Sequence, residues 1–251
     1  MPHERRIFIS VPPSATEVVA SAADAHHLRD VLRLSEGAHL TVADPSTGIE
    51  YDAVISALAP EVRVKLIAKL FMSSSEVTPV KSLVFALCKN PVNDLVCEKA
   101  AELGVEHIIF WQAERSILSL SPEDRPKKIA RWQKIVESAA RQSGKRFLAH
   151  VDLALTLGDL RQTLHKIAAP GERLLCCSLS ESAQALHKIQ PLHTPTHMLV
   201  GPAGDLTQAE EQSLQELGFE LISLGHNLLR AETAAIAGIG MLQAEYHHAM
   251  L

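Results

Sequence analysis

M-L-V-G-P-A-G-D-L-T-Q-A-E-E (Met198–Glu211) and G-F-E-L-I-S-L-G-H-N-L-L-R-A-E-T-A-A-I-A (Gly218–Ala237) repeat one pattern near the carboxyl end of the chain. In each, a short apolar run, His197–Val200 or Phe219–Leu224, ends in a glycine-containing turn that leads into a helical pattern. Thr207 with Glu210 three residues on is a capping box that opens the first helix, and the second helix begins near Ala231. Strands that end side by side before helices place their loops in one crevice, where open α/β sheets hold ligands. Glycines there let the backbone approach a flat ligand with no Cβ in the way. Neither turn is a G-x-G-x-x-G or a G-x-x-x-x-G-K-[ST], so neither offers the usual phosphate cradle. At this level two ordinary strand-to-helix connections remain an equal reading. Arg230, Glu232 and Thr233 put a charge pair and a hydroxyl at the start of a helix otherwise built of Ala, Ile and Gly. On an open surface such a pair contributes little; at the mouth of a crevice it is a candidate for chemistry.

The same strand–helix alternation extends upstream. Ser82–Cys88 reads as an apolar strand, Asn93–Leu103 as an amphipathic helix closed by Gly104, and Glu106–Trp111 as a strand. Glu123–Gln142 is a long helix, Leu157–Ile167 another, and Arg173–Ser178 a strand. That order predicts a parallel α/β sheet. Before it, Arg6–Ser10, Leu40–Ala43, Glu50–Leu58 and Glu61–Leu70 read as short strands around one helix, Asp24–Leu34, with Leu28, Val31 and Leu32 on its inner face. The serine-rich stretch Phe71–Pro79 is the expected linker. Two domains follow, residues 1–72 as a small β-barrel and 73–251 as the α/β domain.

With 47% apolar and 21% charged residues among 251, a sizeable core is expected. No apolar run is long enough to cross a membrane and the amino terminus lacks a signal-peptide core, so a cytoplasmic protein is expected. Cys88, Cys97, Cys176 and Cys177 lack C-x-x-C spacing, and the pairs His26-His27 and His247-His248 point their members apart, so no metal site is expected. The net charge is −5, which argues against affinity of the whole surface for nucleic acid. Residues Met1–Leu70 hold seven Lys and Arg against nine Asp and Glu, whereas Arg115–Arg146 hold nine against three. A local basic helix is therefore expected to carry phosphate contacts. Trp132 within it reads equally as core or as a stacking platform.

V-G-P-A-G-D-L-T-Q-A-E-E followed by S-L-G-H-N-L-L-R-A-E-T-A resembles the paired signature of the SPOUT methyltransferases, and within them the RsmE family, which methylates N3 of a uridine in 16S ribosomal RNA. Lys89 with Asp94 and Lys99, E-L-G-V (Glu102–Val105), Glu114-Arg115-Ser116, Gln142-Ser143-Gly144 and H-H-L-R-D-V-L-R-L-S-E-G-A (His26–Ala38) extend the likeness in order along most of the chain. The resemblance implies a PUA-like amino-terminal barrel, a deep trefoil knot that holds S-adenosylmethionine, and a homodimer acting on 16S rRNA or the small ribosomal subunit. The chain departs from the family pattern at Ala203 and Asp205, where an acid and a second glycine are usual, at His226-Asn227, and at Ala101 and Ala113.

Methylation at a uracil N3 needs a cation near the flanking carbonyl oxygens, a proton acceptor, and walls that exclude water. On the resemblance, Arg230 is the expected cation and Glu232 its holder or the base. Leu179, Leu199, Gly201, Pro202, Gly204, Leu224, Gly225, Leu228, Leu229 and Thr233 are expected around the cofactor. Arg5, Arg6, Arg29, Arg33, Arg115, Arg141, Gln142 and Ser143 are expected to face RNA. Gly238 and Gly240 in the last helix, Thr233–Met250, predict a close helix contact, with a second copy of the chain as one partner. Three other readings stay open: an RNA-binding protein with a degenerate SPOUT domain, a SPOUT methyltransferase with another RNA target, and an α/β enzyme whose basic helix binds an anionic metabolite.

Overall fold

The structure, a computed structural model, describes residues 5–71, 78–189 and 194–249. Residues 72–77 of the expected linker, and with them the expected boundary between 72 and 73, lie outside the described residues. The chain forms two compact units, Met1–Glu76 with Glu137–Leu148, and Val77–Val136 with Ala149–Leu251.

In the first unit, β1 (Arg6–Phe8), β3 (His39–Ala43), β4 (Glu50–Ala57), β5 (Arg63–Phe71) and β2 (Glu17–Val19) form one sheet in that order. Only β1 and β3 pair in parallel. Three register shifts between β4 and β5 bend the sheet, so that Ile7, Val42, Ile55 and Val64 close over Leu28 in a single core. The helix expected over Asp24–Leu34 is instead a short α1 (Ala22–His26) running into a π-turn, His27–Val31. The wider turn rotates Val31 off the inner face, and it is 58% exposed, while Leu28 stays buried. The sequence reading missed β2, three residues of which one, Val18, is buried.

The second unit carries a seven-stranded, wholly parallel sheet. Its order is β10 (Gln184–Ala185), β12 (Phe219–Ser223), β9 (Arg173–Cys177), β11 (Thr196–Val200), β6 (Val80–Ala86), β7 (His107–Trp111), β8 (His150–Ala154). Helices α2 (Asn90–Glu102), α3 (Arg125–Ser143), α4 (Leu157–Ile167), α5 (Gln208–Glu216) and α6 (Ala231–Ala249) alternate with the strands. Strands covered on both faces read as unbroken apolar runs. That is why V-K-S-L-V-F-A is buried at nearly every position. Trp132 is core, with its ring 4.0 Å from that of Phe110. Gly238 lets α6 settle on the sheet, since a Cβ there would stand 2.7 Å from Met198 Sδ and 3.4 Å from Leu224 Cδ1. Gly238 itself faces β11, while α6 packs on helix α2 within the chain, so the expected helix contact is present there. Gly240 is exposed, with nothing near its missing Cβ.

The amino-terminal edge of this sheet holds a buried polar chain. Ser82 Oγ lies 2.8 Å from His197 Nδ1, His197 Nε2 lies 2.9 Å from Glu172, and Lys81 donates to both oxygens of Glu172. Burial lowers the pKa of His197. Burial, then the neighbouring His150 and Lys81, bring that of His107 down to about 4. In the unfolded chain both imidazoles take up protons below about pH 6.5, whereas folded His107 does so only near 4. The unfolded state thus binds more protons between those values, and stability falls as pH drops from 6.5 to 4. With solvent screening allowed for, His107 accounts for on the order of 1–2 kcal/mol, or about 4 °C. Thermal melts at pH 7 and pH 4.5 should show that drop, and His107→Gln should shrink it.

Candidate active site

Because all seven strands run the same way, their carboxyl ends share one edge. Cys177, Val200 and Ile222 stand in register across β9, β11 and β12, and all three line a cavity of about 530 Å³. The chain leaves β6 outward through β7 and β8, then returns on the other side through β9, β11 and β12. The cavity lies where that direction reverses, as expected of open parallel sheets.

Loops at the carboxyl ends of β6, β9, β11 and β12 wall it, with Ser178 and Leu179 from the loop after β9 and Ile117 from the loop after β7. The loop after β11 brings Gly201, Pro202, Ala203 and Asp205. Gly201 lies flush under Leu206, whose Cγ would be 3.0 Å from a Cβ at 201. The loop after β12 brings Leu224, Gly225, Asn227, Leu228 and Leu229, followed by Arg230 and Glu232 at the start of α6. Gly225 has φ +138°, a conformation open to glycine and strained for other residues. Cys88 and Lys89 stand at the end of β6. Buried Asn93 holds that turn by accepting from the Cys88 N–H (2.9 Å) and donating to its carbonyl (2.7 Å). Burial, with the Glu232 charge adding to it, raises the Cys88 pKa, and burial pushes that of Cys177 up to about 12. Both thiols are therefore neutral wall material rather than nucleophiles. Lys89, Asp205, Arg230 and Glu232 are the charged side chains on the cavity among the described residues.

Of the residues expected around a cofactor, Leu179, Gly201, Pro202, Leu224, Gly225, Leu228 and Leu229 line this cavity, with Arg230 and Glu232. Leu199, Gly204 and Thr233 do not. Leu199 is fully buried on the opposite face of β11 from Met198, packed with Val84 and Ile109. Gly204 and Thr233 are exposed, the first on a loop braced from behind by Arg115 and the second on the outer side of α6. Arg230 and Glu232 form no ion pair with each other; residues two apart on a helix do not face one another. Sequence reasoning gave no role to Lys89, Cys88, Cys177, Ser178, Asp205 or Asn227. All but Asp205 and Asn227 stand at or just past a strand's carboxyl end, so the crevice rule itself was the signal that would have found those four.

A family model described as an RNA methyltransferase domain matches residues 76–243, and one described as an RNA methyltransferase PUA domain matches residues 21–67. The ribosomal RNA small subunit methyltransferase E of Synechocystis is 30% identical over 90% of this chain and 73% of its own length. The chain belongs to this family of RNA methyltransferases. The Mycobacterium tuberculosis ribosomal RNA small subunit methyltransferase E is 28% identical over 92% of this chain and 87% of its own. Among solved structures, the Neisseria gonorrhoeae ribosomal RNA small subunit methyltransferase E, bound to S-adenosyl methionine, superposes with a TM-score of 0.82. It covers 96% of this chain and 97% of its own, at 28% identity.

Within this methyltransferase the side chains expected at RNA fall into two groups, those held by partners in the chain and those exposed; Arg115 is exposed and donates to the Gly204 carbonyl. Arg6 is not a surface contact. It is 7% exposed, pairs with Glu50 at 2.7 Å, and donates to the carbonyls of Gly144 and Lys145. Arg141 is held by buried Asp24 (2.8 Å) and by Glu137. Arg29 pairs with Asp30, and Ser143 donates to the Ala139 carbonyl. Arg5, Arg33 and Gln142 are exposed. The excess of positive charge counted in the basic segment is offset in part in space. Arg125 pairs with Asp152, Arg131 with Asp94, and Arg146 with Glu50. Lys127 and Lys134 remain exposed on α3. Among the described residues no group of three or more His, Cys, Asp or Glu could hold a metal ion, and no helix is long and apolar enough to cross a membrane.

Proposed function

We propose that this chain transfers the methyl group of S-adenosylmethionine to N3 of a uridine in 16S rRNA, on the small ribosomal subunit. The observation that carries the reading is a cavity of about 530 Å³ at the strands' carboxyl edge, walled by glycine turns and leucines and bearing Arg230, Lys89 and Glu232. A volume of this order suits a cofactor-sized molecule. Bare peptides at Gly201 and Gly225 and apolar walls at Leu179, Leu224, Leu228 and Leu229 suit a flat adenosyl group. S-adenosylmethionine supplies an activated methyl on a positively charged sulfur. The chain's own part is to position and to neutralise. Glu232 takes the N3 proton, directly or through one water. Arg230 donates to the uracil carbonyl oxygen on which negative charge then gathers, and Lys89 adds a second cation to the same cavity. The leucine walls keep water from competing for the methyl.

The fold we infer for the carboxyl-terminal loops is the trefoil knot of SPOUT enzymes. The homodimer we infer uses the outer side of α6, where Gly240 and Met241 are exposed. Titration calorimetry should show saturable S-adenosylmethionine binding. Tritiated methyl transfer to small subunits from a strain lacking the activity, followed by nucleoside analysis, tests the target. Transfer to another nucleotide would replace the uridine reading, and cofactor binding without any transfer would point to a degenerate enzyme. Lys127→Ala with Lys134→Ala is expected to weaken RNA binding about tenfold at low salt and to reduce the slope of log K against log[salt] by about 1.5. Filter binding across a salt series reads both.

A further inference from the structure

Asp205 is a non-glycine residue with φ +61° and it lines the cavity. Aspartate tolerates this left-handed backbone better than most residues, yet it remains sparsely populated, and such outliers persist where the surroundings impose them. Here they do. The Asp205 N–H donates to the Pro202 carbonyl at 2.9 Å, Arg115 Nη1 donates to the Gly204 carbonyl at 3.0 Å, and Leu206 is packed against Gly201. The loop is tied again from the preceding motif, because the Glu114 N–H donates to Glu210, whose other oxygen accepts from the Thr207 N–H. The Leu206 N–H donates to Asp205 Oδ1 at 2.8 Å and so sets the carboxylate's orientation. Among the described residues Oδ2 has no hydrogen-bond partner, and Asp205 pairs with no Lys, Arg or His. A half-buried, oriented carboxylate with no ion-pair partner among the described residues thus lies on the lining of the cavity.

We propose that Asp205 is a binding residue for a positively charged group of the methyl donor, its sulfonium or its α-ammonium. This rests on the methyltransferase reading above. Asp205→Asn is the informative substitution, because asparagine keeps both the tolerance for the left-handed backbone and the acceptor for Leu206, and removes only the charge. Calorimetry would compare S-adenosylmethionine, S-adenosylhomocysteine, which lacks the sulfonium, and 5′-methylthioadenosine, which lacks both charges. We expect Asp205→Asn to weaken S-adenosylmethionine about tenfold with 5′-methylthioadenosine unchanged and the melting temperature preserved. Loss of S-adenosylhomocysteine in step assigns the ammonium, and its retention assigns the sulfonium. Equal losses for all three ligands would mean a contact to the ribose, and no loss would mean a purely structural residue; either overturns the proposal. Asp205→Gly, which relieves the backbone, should repeat the pattern in a protein at least as stable. If the wild-type chain binds none of the three, the methyltransferase reading itself fails, and with it this one.

Discussion

Arg230→Ala is expected to lower the rate of methyl transfer by about 10²–10³-fold, the effect of removing one preorganised donor from a developing oxyanion. Affinity for S-adenosylmethionine should change less than about threefold, since the proposed contact is to uracil and strengthens only as negative charge develops. The substitution is mild for the fold. Arg230 is exposed, and what α6 takes from it is a main-chain carbonyl accepting from the Ala234 N–H, which alanine retains. Glu232→Gln is the companion variant. It preserves shape, removes the proton acceptor, and should cost a similar factor. Single-turnover transfer with saturating cofactor measures both. A full rate in Arg230→Ala would remove that residue from the chemistry and move attention to Lys89.

Gly201→Val should weaken S-adenosylmethionine about 10- to 100-fold through overpacking of about 1–3 kcal/mol. A Cβ at 201 already stands 3.0 Å from Leu206 Cγ, and valine adds two methyls beyond it. Leu206 cannot retreat, because it is 5% exposed and packed with Leu199 and Leu214. Relief therefore comes from shifting the loop that carries Pro202 and Asp205 into the cavity. Gly204→Ala and Gly240→Ala provide contrast. A Cβ at 204 would meet Arg115 at an ordinary 3.6 Å, and one at 240 would meet nothing. Gly240→Ala should add about 0.5–1 kcal/mol of stability and leave binding alone. Cofactor affinity untouched in Gly201→Val would mean that this turn is not part of the donor site.

The chain by itself determined a good deal of this. Strand–helix alternation from Ser82 onward specified the parallel sheet, because a strand buried on both faces must be apolar throughout and must return through a helix. The capping box at Thr207 is present, with the Thr207 side chain accepting from the Glu210 N–H. The glycine turns were legible as the lip of a crevice, since strand ends and turn residues are local signals.

What only the tertiary structure decided depends on distant partners. Arg6 and Arg141 count as positive charge in the sequence, but Glu50, Asp24 and Glu137 neutralise them in space. Leu199 and Thr233 belong to motifs at the cavity, yet one faces the core and the other solvent, because side-chain direction follows the local axis of strand or helix. Gly238 looked like a helix-pairing residue and serves to seat α6 on Met198. Asp205 was visible only as a departure from a motif. Its left-handed backbone and its place on the cavity arise from ties to Pro202, Arg115 and Leu206, and no local pattern encodes them. Periodicity fixes which elements form, whereas charge pairing and close approach are set by residues far apart in the chain, 117 positions for Arg141 with Asp24 and 139 for Arg6 with Lys145.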